Sequence, residues 1–271
     1  MAVTEGRTGH VAWTAAGDGP GVPVLLLHGI TDSAECWSPV VAHLAAGRRV
    51  VAADARGHGR SALPDGSATI ADLAADAAAV LADAIGAPAV VVGHSMGGVT
   101  AQELVHVVPD QVAALVLEDP AWGPHDVDAR GVPVGLAGWT DTFAGRTAEQ
   151  MEEWAREHER AWPDDEYAPW ARAKVAFAPD FPRREQRWDG REWVADAAGL
   201  VRAGVPVTVV AGDPVLGSAV PAGAQARASR IDGLTFVPVT GVGHNVRREA
   251  RETFLAALDA ALARADAARS A

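Results

Sequence analysis

Residues 89–108 set an apolar run, Ala89-Val90-Val91-Val92, directly before a turn of small residues, Gly93-His94-Ser95-Met96-Gly97-Gly98, with a helical stretch at 99–108 directly after it. A chain passes from strand to helix this abruptly only through a tight, crowded turn, and three glycines around one serine give the backbone the room it needs. A strand feeding straight into a helix implies a sheet covered by helices, which excludes all-helical and all-strand architectures. A Gly-x-Ser-x-Gly turn alone is common; the strand before it and the helix after it give this one its weight.

Further short apolar runs stand at 22–27, 49–53, 113–117, 205–211 and 234–239, punctuated by Gly and Pro. Between them, Ile70, Leu73, Ala74, Ala77, Val80, Leu81, Ala84 and Ile85 recur at helical spacing and stop at Gly86 and Pro88. Strands that are apolar without alternation are buried on both faces. The expected fold class is therefore α/β, a mostly parallel central sheet with helices on both faces. Segment 121–204 breaks the rhythm: it is charged and carries Trp122, Trp139, Trp154, Trp162, Trp170, Trp188 and Trp193, seven of the nine tryptophans. It is expected to be a helical cap set into a core made of 1–120 and 205–271. Within it, Glu152 and Arg156 are four apart and suit the solvent face of a helix. Phe254, Leu255, Leu258 and Leu262 share one face of a last helix running from 246 to about 265, with an Ala/Arg/Asp-rich tail from 263 expected to fray.

With 49% hydrophobic and 21% charged residues over 271 positions, the chain has ample core material and is neither disordered nor fibrous. The 23 basic against 35 acidic residues give a formal charge of −12, which disfavours nucleic acid and anionic membrane surfaces as partners. Lys174 is the sole lysine, every other basic residue being Arg, a pattern read here as coding bias without functional weight. A single cysteine, Cys36 beside Trp37, excludes an intrachain disulfide and a multi-cysteine metal site and reads as a packed apolar residue. Residues 1–10 lack the apolar core of a signal peptide, and no run approaches the roughly 18 apolar residues of a membrane span, so a cytoplasmic protein is expected.

Four motifs occur in order: His28-Gly29 after the first apolar run, Asp54-Ala55-Arg56-Gly57-His58-Gly59-Arg60-Ser61 after the second, the serine turn, and Gly243-His244 after the last. Together they span about residues 22–265, and in them the chain resembles the α/β-hydrolase fold family. The resemblance implies that Ser95 is a nucleophile and that His244, in Gly241-Val242-Gly243-His244-Asn245, is its base. It also implies that the backbone N–H groups of Met96 and Ile30 stabilise the oxyanion. His28 and His94 are then structural neighbours of the site. The 54–61 loop resembles a family motif that shapes the turn near the oxyanion site and is expected to be structural; its glycines lack the Gly-Lys-Ser/Thr ending of a phosphate loop, which counts against nucleotide binding.

The acid that orients the histidine has three candidates. Most relatives carry it after the penultimate core strand, where this chain reads Gly212-Asp213-Pro214 with Asp213 displaced from the expected position. A minority carry it after the strand that follows the nucleophile helix. There Glu118-Asp119-Pro120 closes the run, and Asp119 lies 24 residues beyond Ser95. Asp119 is preferred on that spacing, with Glu118 and Asp213 open; the competing reading of Glu118-Asp119-Pro120 is a solvated turn.

The expected activity is hydrolysis of a carboxylic ester or lactone of a hydrophobic small molecule through an acyl-enzyme, by a monomer or homodimer, with no metal or organic cofactor. Trp122 and Trp139, nearest the core boundary, are the candidates for lining a substrate pocket. A serine at the turn counts against epoxide hydrolase and dehalogenase chemistry, which resemblance assigns to an aspartate. Carbon–carbon bond hydrolase, lyase, perhydrolase or haloperoxidase activity, or a ligand receptor that keeps the triad, are the alternatives.

Overall fold

A computed structural model of the protein describes residues 2–123, 128–159, 162–188 and 190–270; Met1 lies outside them. Eight strands form one sheet: β1 (Val3–Thr8), β2 (Val11–Pro20), β3 (Val24–Leu27), β4 (Arg48–Ala53), β5 (Ala89–His94), β6 (Val112–Glu118), β7 (Val207–Ala211) and β8 (Thr235–Pro238). Their spatial order is β1-β2-β4-β3-β5-β6-β7-β8. From β4 to β8 every neighbouring pair is parallel, whereas β1 and β2 add an antiparallel edge. The fold is α/β, as the unalternating apolar runs require.

The helices are, in chain order, α1 (Ser38–Leu44), α2 (Ile70–Val80), α3 (Met96–Val107), α4 (Leu136–Asp141), α5 (Ala148–His158), α6 (Asp164–Ala176), α7 (Trp193–Arg202), α8 (Ala222–Ala228), α9 (Val246–Glu249) and α10 (Arg251–Ser270). Each strand feeds two cores. Leu25, Leu27, Val51 and Val91 pack with α2, α3, α7 and α8 on one face, while Val24, Leu26, Val50, Val90 and Val92 pack with α1 and α10 on the other. Each fully buried Leu or Val contributes about 1.5–3 kcal/mol, so polar alternation within these strands would forfeit one of the two layers. Between β6 and β7 come α4 to α7. Trp154 stacks on Trp170 at 5.8 Å, and Trp162 meets Trp170 edge-on at 5.8 Å, giving α5 and α6 an aromatic core of their own.

The helical periodicity at 70–85 is realised. Thr69 and Asp72 cap each other at the start of α2, its last turn widens into a π-turn at Leu81–Ile85, and Gly86, at φ 69°, ends it. Two features depart from the sequence expectation. The β1–β2 hairpin was not visible in the apolar pattern, because β1 is mostly exposed and β2 does not alternate strictly. The tail beyond 263 does not fray: α10 continues to Ser270, because Asp266 accepts the Val22 N–H at 2.7 Å and pairs with Arg48 at 3.0 Å, docking the helix on the start of β3.

Candidate active site

Ser95 sits between β5 and α3 at φ 53°, ψ −114°, a conformation L-residues rarely adopt, and its neighbours make the turn possible. A Cβ on Gly97 would stand 2.1 Å from the Leu27 carbonyl oxygen, one on Gly93 2.2 Å from the Gly97 oxygen, and one on Gly98 2.8 Å from the Pro120 side chain. The Ser95 N–H donates to the Glu118 carbonyl at 3.1 Å, so the turn is pinned to the end of β6. Met96 opens α3, where the first N–H groups of a helix have no partner within it.

The end of β6 carries Asp119, fully buried and itself at φ 40°. Its Oδ1 accepts from the Gly212 N–H at 2.9 Å and the Ser218 hydroxyl at 2.5 Å, and its Oδ2 from the Ala219 N–H at 2.7 Å. The fourth partner is His244 Nδ1, 2.6 Å from Oδ2. A carboxylate only accepts, so His244 Nδ1 is the donating nitrogen of this pair. The His244 loop is held against the end of β7: Asp213 N donates to the Val242 oxygen at 2.8 Å, and a Cβ on Gly212 would stand 2.0 Å from the Gly243 oxygen.

The other two acid candidates are engaged elsewhere. Glu118 is buried and accepts from the Arg247 N–H at 2.7 Å and from its guanidinium at 2.8 Å. Burial pushes its carboxyl above the ordinary value, against the pull of Arg247. Asp213 caps the Pro214–Leu216 turn through the Val215 N–H at 2.9 Å.

His28 and His94 both border this region. Ala55 N donates to His28 Nε2 at 2.9 Å, which leaves Nδ1–H to donate to the Gly29 oxygen at 2.7 Å, fixing the loop that presents Ile30. The His94 ring lies 4.7 Å from that of His244. Burial, then the charges of Arg247 and His244, hold its imidazole well below the usual value, and it stays neutral. The loop at 54–61 braces the same corner: Asp54 accepts from Ala34 N at 2.7 Å and Arg60 N at 3.2 Å, and Arg56 forks onto Asp76 at 2.7 and 2.9 Å.

A family model described as alpha/beta hydrolase fold matches residues 22–216. The chain belongs to the α/β-hydrolase fold family. Among curated proteins it is similar to Lipase LipV of Mycobacterium tuberculosis, 45% identical over 105 residues that cover 38% of this chain and 40% of the lipase. The matches to such curated relatives thus span less than half of their length. Among solved structures it resembles E-2-(acetamidomethylene)succinate hydrolase, with TM-score 0.73 and 22% identity over 96% of this chain and 98% of that one. It also resembles a thermophilic esterase from Thermogutta terrifontis, with TM-score 0.69 and 23% identity over 98% and 100%. At that identity the structural likeness concerns the fold.

In this α/β-hydrolase, Ser95 and His244 face two connected hollows that share Ile30, Ser95, Trp139 and His244. One, of about 210 Å³, is walled by Ala121, Pro133, Leu136 and Trp188. The other, of about 180 Å³, is walled by Asp32, Trp170, Lys174, Asn245 and Arg248. Of the two expected pocket tryptophans, Trp139 lines both hollows. Trp122 lines neither; it is buried against the core with its indole N–H on Gln102 Oε1 at 2.6 Å. Cys36 is a packed residue whose thiol burial pushes up to about 11.

The charged wall was missed in the sequence. Lys174, set aside there as compositional bias, is buried and donates to Asp32 Oδ1 at 2.9 Å and to the Thr31 carbonyl at 3.0 Å. Burial pushes the Asp32 carboxyl up, but the charges of Arg248, Lys174 and Arg247 outweigh that and hold it well below the usual carboxylate range. The one available signal was the isolation of a single lysine among arginines, which composition alone cannot separate from codon preference.

Proposed function

We propose that this α/β-hydrolase cleaves a carboxylic ester or lactone of a small hydrophobic molecule through an acyl-enzyme, with Ser95, His244 and Asp119 as its triad. Ser95 Oγ attacks the carbonyl carbon while His244 Nε2 takes its proton; the oxyanion faces the N–H groups of Met96 and Ile30. Collapse breaks the ester bond, and the leaving oxygen takes the proton from His244. Water, activated by the same imidazole, then attacks the acyl-Ser95 carbonyl and releases the acid. Asp119 holds the ring in the tautomer that leaves Nε2 basic.

The observation that carries this reading is the 2.6 Å contact between His244 Nδ1 and a buried Asp119, with Ser95 and His244 lining the same hollows. The 210 Å³ apolar hollow supports a hydrophobic group on the substrate, since an aromatic ring occupies a cavity of roughly 150 Å³. The protein acts on this reading as a cytoplasmic monomer or homodimer. Among the described residues no helix is long and apolar enough to cross a membrane.

The test is intact mass after exposure to a small serine-reactive phosphonate, for the native chain and for S95A, followed by a panel of esters and lactones. One adduct that requires Ser95, together with turnover of an ester or lactone, is the expected result. An adduct without any ester or lactone turnover sinks the substrate assignment, and no adduct sinks the nucleophile assignment.

A further inference from the structure

The two hollows that meet at Ser95 differ in chemistry. The apolar one offers hydrocarbon and the Trp188 indole. The other places two buried cations, Lys174 and Arg248, and one carboxylate, Asp32, in its wall. Ion pairs at this depth are expensive to assemble, since each buried charge loses its hydration. The arrangement of donors and acceptors within it is lopsided.

Asp32 already accepts three hydrogen bonds from side chains of the protein. Its Oδ1 accepts from Lys174 at 2.9 Å, and its Oδ2 accepts from Arg247 at 3.0 Å and from Arg248 at 2.9 Å. Arg248 directs Nε to Glu166 at 3.3 Å, behind the wall, and Nη1 to Asn245 Oδ1 at 2.8 Å. That last bond orients Asn245: an amide facing a guanidinium presents its oxygen, so its NH₂ group is the end left over. Asn245 Nδ2 has no partner among the described residues, and Asn245 lines the hollow directly beside His244. The Lys174 ammonium stands 4.6 Å from the centre of the Trp170 ring at the same wall, where burial pulls its pKa below the ordinary lysine value against the raising charge of Asp32. His94, the remaining titratable side chain there besides His244, is neutral and adds no negative charge. The lining therefore presents amide, guanidinium and ammonium donors around a single carboxylate that already accepts three hydrogen bonds.

Resting on the serine-hydrolase reading above, we infer that the charged hollow is a carboxylate subsite, and that the substrate is amphiphilic, with an apolar group in one hollow and a carboxylate, a group that only accepts hydrogen bonds, in the other. Asn245 Nδ2 and the free guanidinium N–H groups of Arg248 bind the carboxylate, and the Lys174 charge offsets its desolvation. A site built of donors rejects the isostere that lacks the acceptor, because the donors are then left unpaired in a closed space.

The test compares isosteric pairs on the intact protein. The methyl half-ester of a medium-chain dicarboxylic acid is set against the methyl ester of the matching monocarboxylic acid, and the hexanoate ester of a short hydroxy-acid against the hexanoate ester of the matching neutral alcohol. The expected result is that a carboxylate on at least one side of the scissile carbonyl raises kcat/KM about tenfold or more, the scale of one charge-assisted hydrogen bond. In N245L, with folding checked by thermal melting, the carboxylate-to-neutral ratio falls about tenfold, through KM. Neutral esters turned over as well as or better than both charged partners overturn the subsite while leaving the serine hydrolase standing. No turnover of any ester and no Ser95 adduct overturn the hydrolase reading itself.

Discussion

Asp119 and His244 lie 125 positions apart in the chain and 2.6 Å apart in the fold. The strands that end beneath them hold them together: Asp119 N donates to the Val210 carbonyl at 2.8 Å, so the acid continues the β6–β7 ladder, and the histidine loop is tied to Asp213 at the end of β7. An aspartate one residue earlier or later would point to another face of the sheet.

This geometry separates the acid candidates experimentally. D119N keeps the shape of the carboxylate but can present an amide donor to His244, favouring the wrong tautomer, and is expected to lower kcat by about three to four orders of magnitude. D213N, which disturbs only the cap of a surface turn, is expected to stay within about threefold of wild type. Steady-state kinetics on one ester decide it; the reverse ranking would remove Asp119 from the triad.

The crowding at the serine turn predicts a stability loss that is independent of catalysis. In G97A the new Cβ would meet the Leu27 backbone oxygen, which cannot rotate aside, at 2.1 Å. The expected cost is about 3 kcal/mol, seen as a drop in Tm of roughly 6–12 °C. An unchanged melting temperature would mean that β3 and α3 are not in the contact described.

Buried histidines make the fold acid-sensitive. Burial holds His58 and His94 well below the ordinary imidazole value of 6.5, and His28 is lowered for the same reason. The depressed folded-state values mean that the stability they contribute is fully present above pH 6.5 and is lost as pH falls below it, because the unfolded chain then binds protons that the native one refuses. Each of them removes about 1 kcal/mol per pH unit below that point. Urea midpoints at pH 7.5 and 5.5 should differ accordingly; equal midpoints would show that these rings protonate freely in the native state.

The buried pair of Glu118 and Arg247 carries a conditional cost. R247M strands Glu118, fully buried and already pushed toward its neutral form by burial, without the guanidinium at 2.8 Å. Breaking one side of such a pair costs about 3–5 kcal/mol, and the double variant E118Q/R247M should recover much of that. Chemical denaturation of the single and double variants measures the difference, and a double variant no more stable than the single one would contradict it.

At the C-terminus, D266A should cost about 1 kcal/mol, because the Val22 N–H and Arg48 both lose a partner. A thermal melt indistinguishable from wild type would indicate that the last turns of α10 are not docked on β3.

The sequence by itself determined the parallel part of the sheet and the strand-to-helix turn at Ser95, while the β1–β2 edge left no trace in it. Runs such as Val90-Val91-Val92 are apolar without alternation, and that pattern is stable only between two covered faces; Gly93 is required by the Gly97 oxygen within the serine turn itself. These constraints are local, or repeat along the chain, and so they are written in composition and spacing. Tertiary structure alone decided which carboxylate meets His244. Glu118, Asp119 and Asp213 all end strands near one edge of the site, and only the register of β6 against β7 turns Asp119 toward the ring. It also decided the charged wall, where Asp32, Lys174 and Arg248 come from three distant segments and pair only because α6 and α9 converge on the loop after β3. Such convergence leaves no periodicity in the chain. A buried ion pair forms from whatever residues the packed elements bring within 3 Å of one another, and sequence separation does not encode that distance.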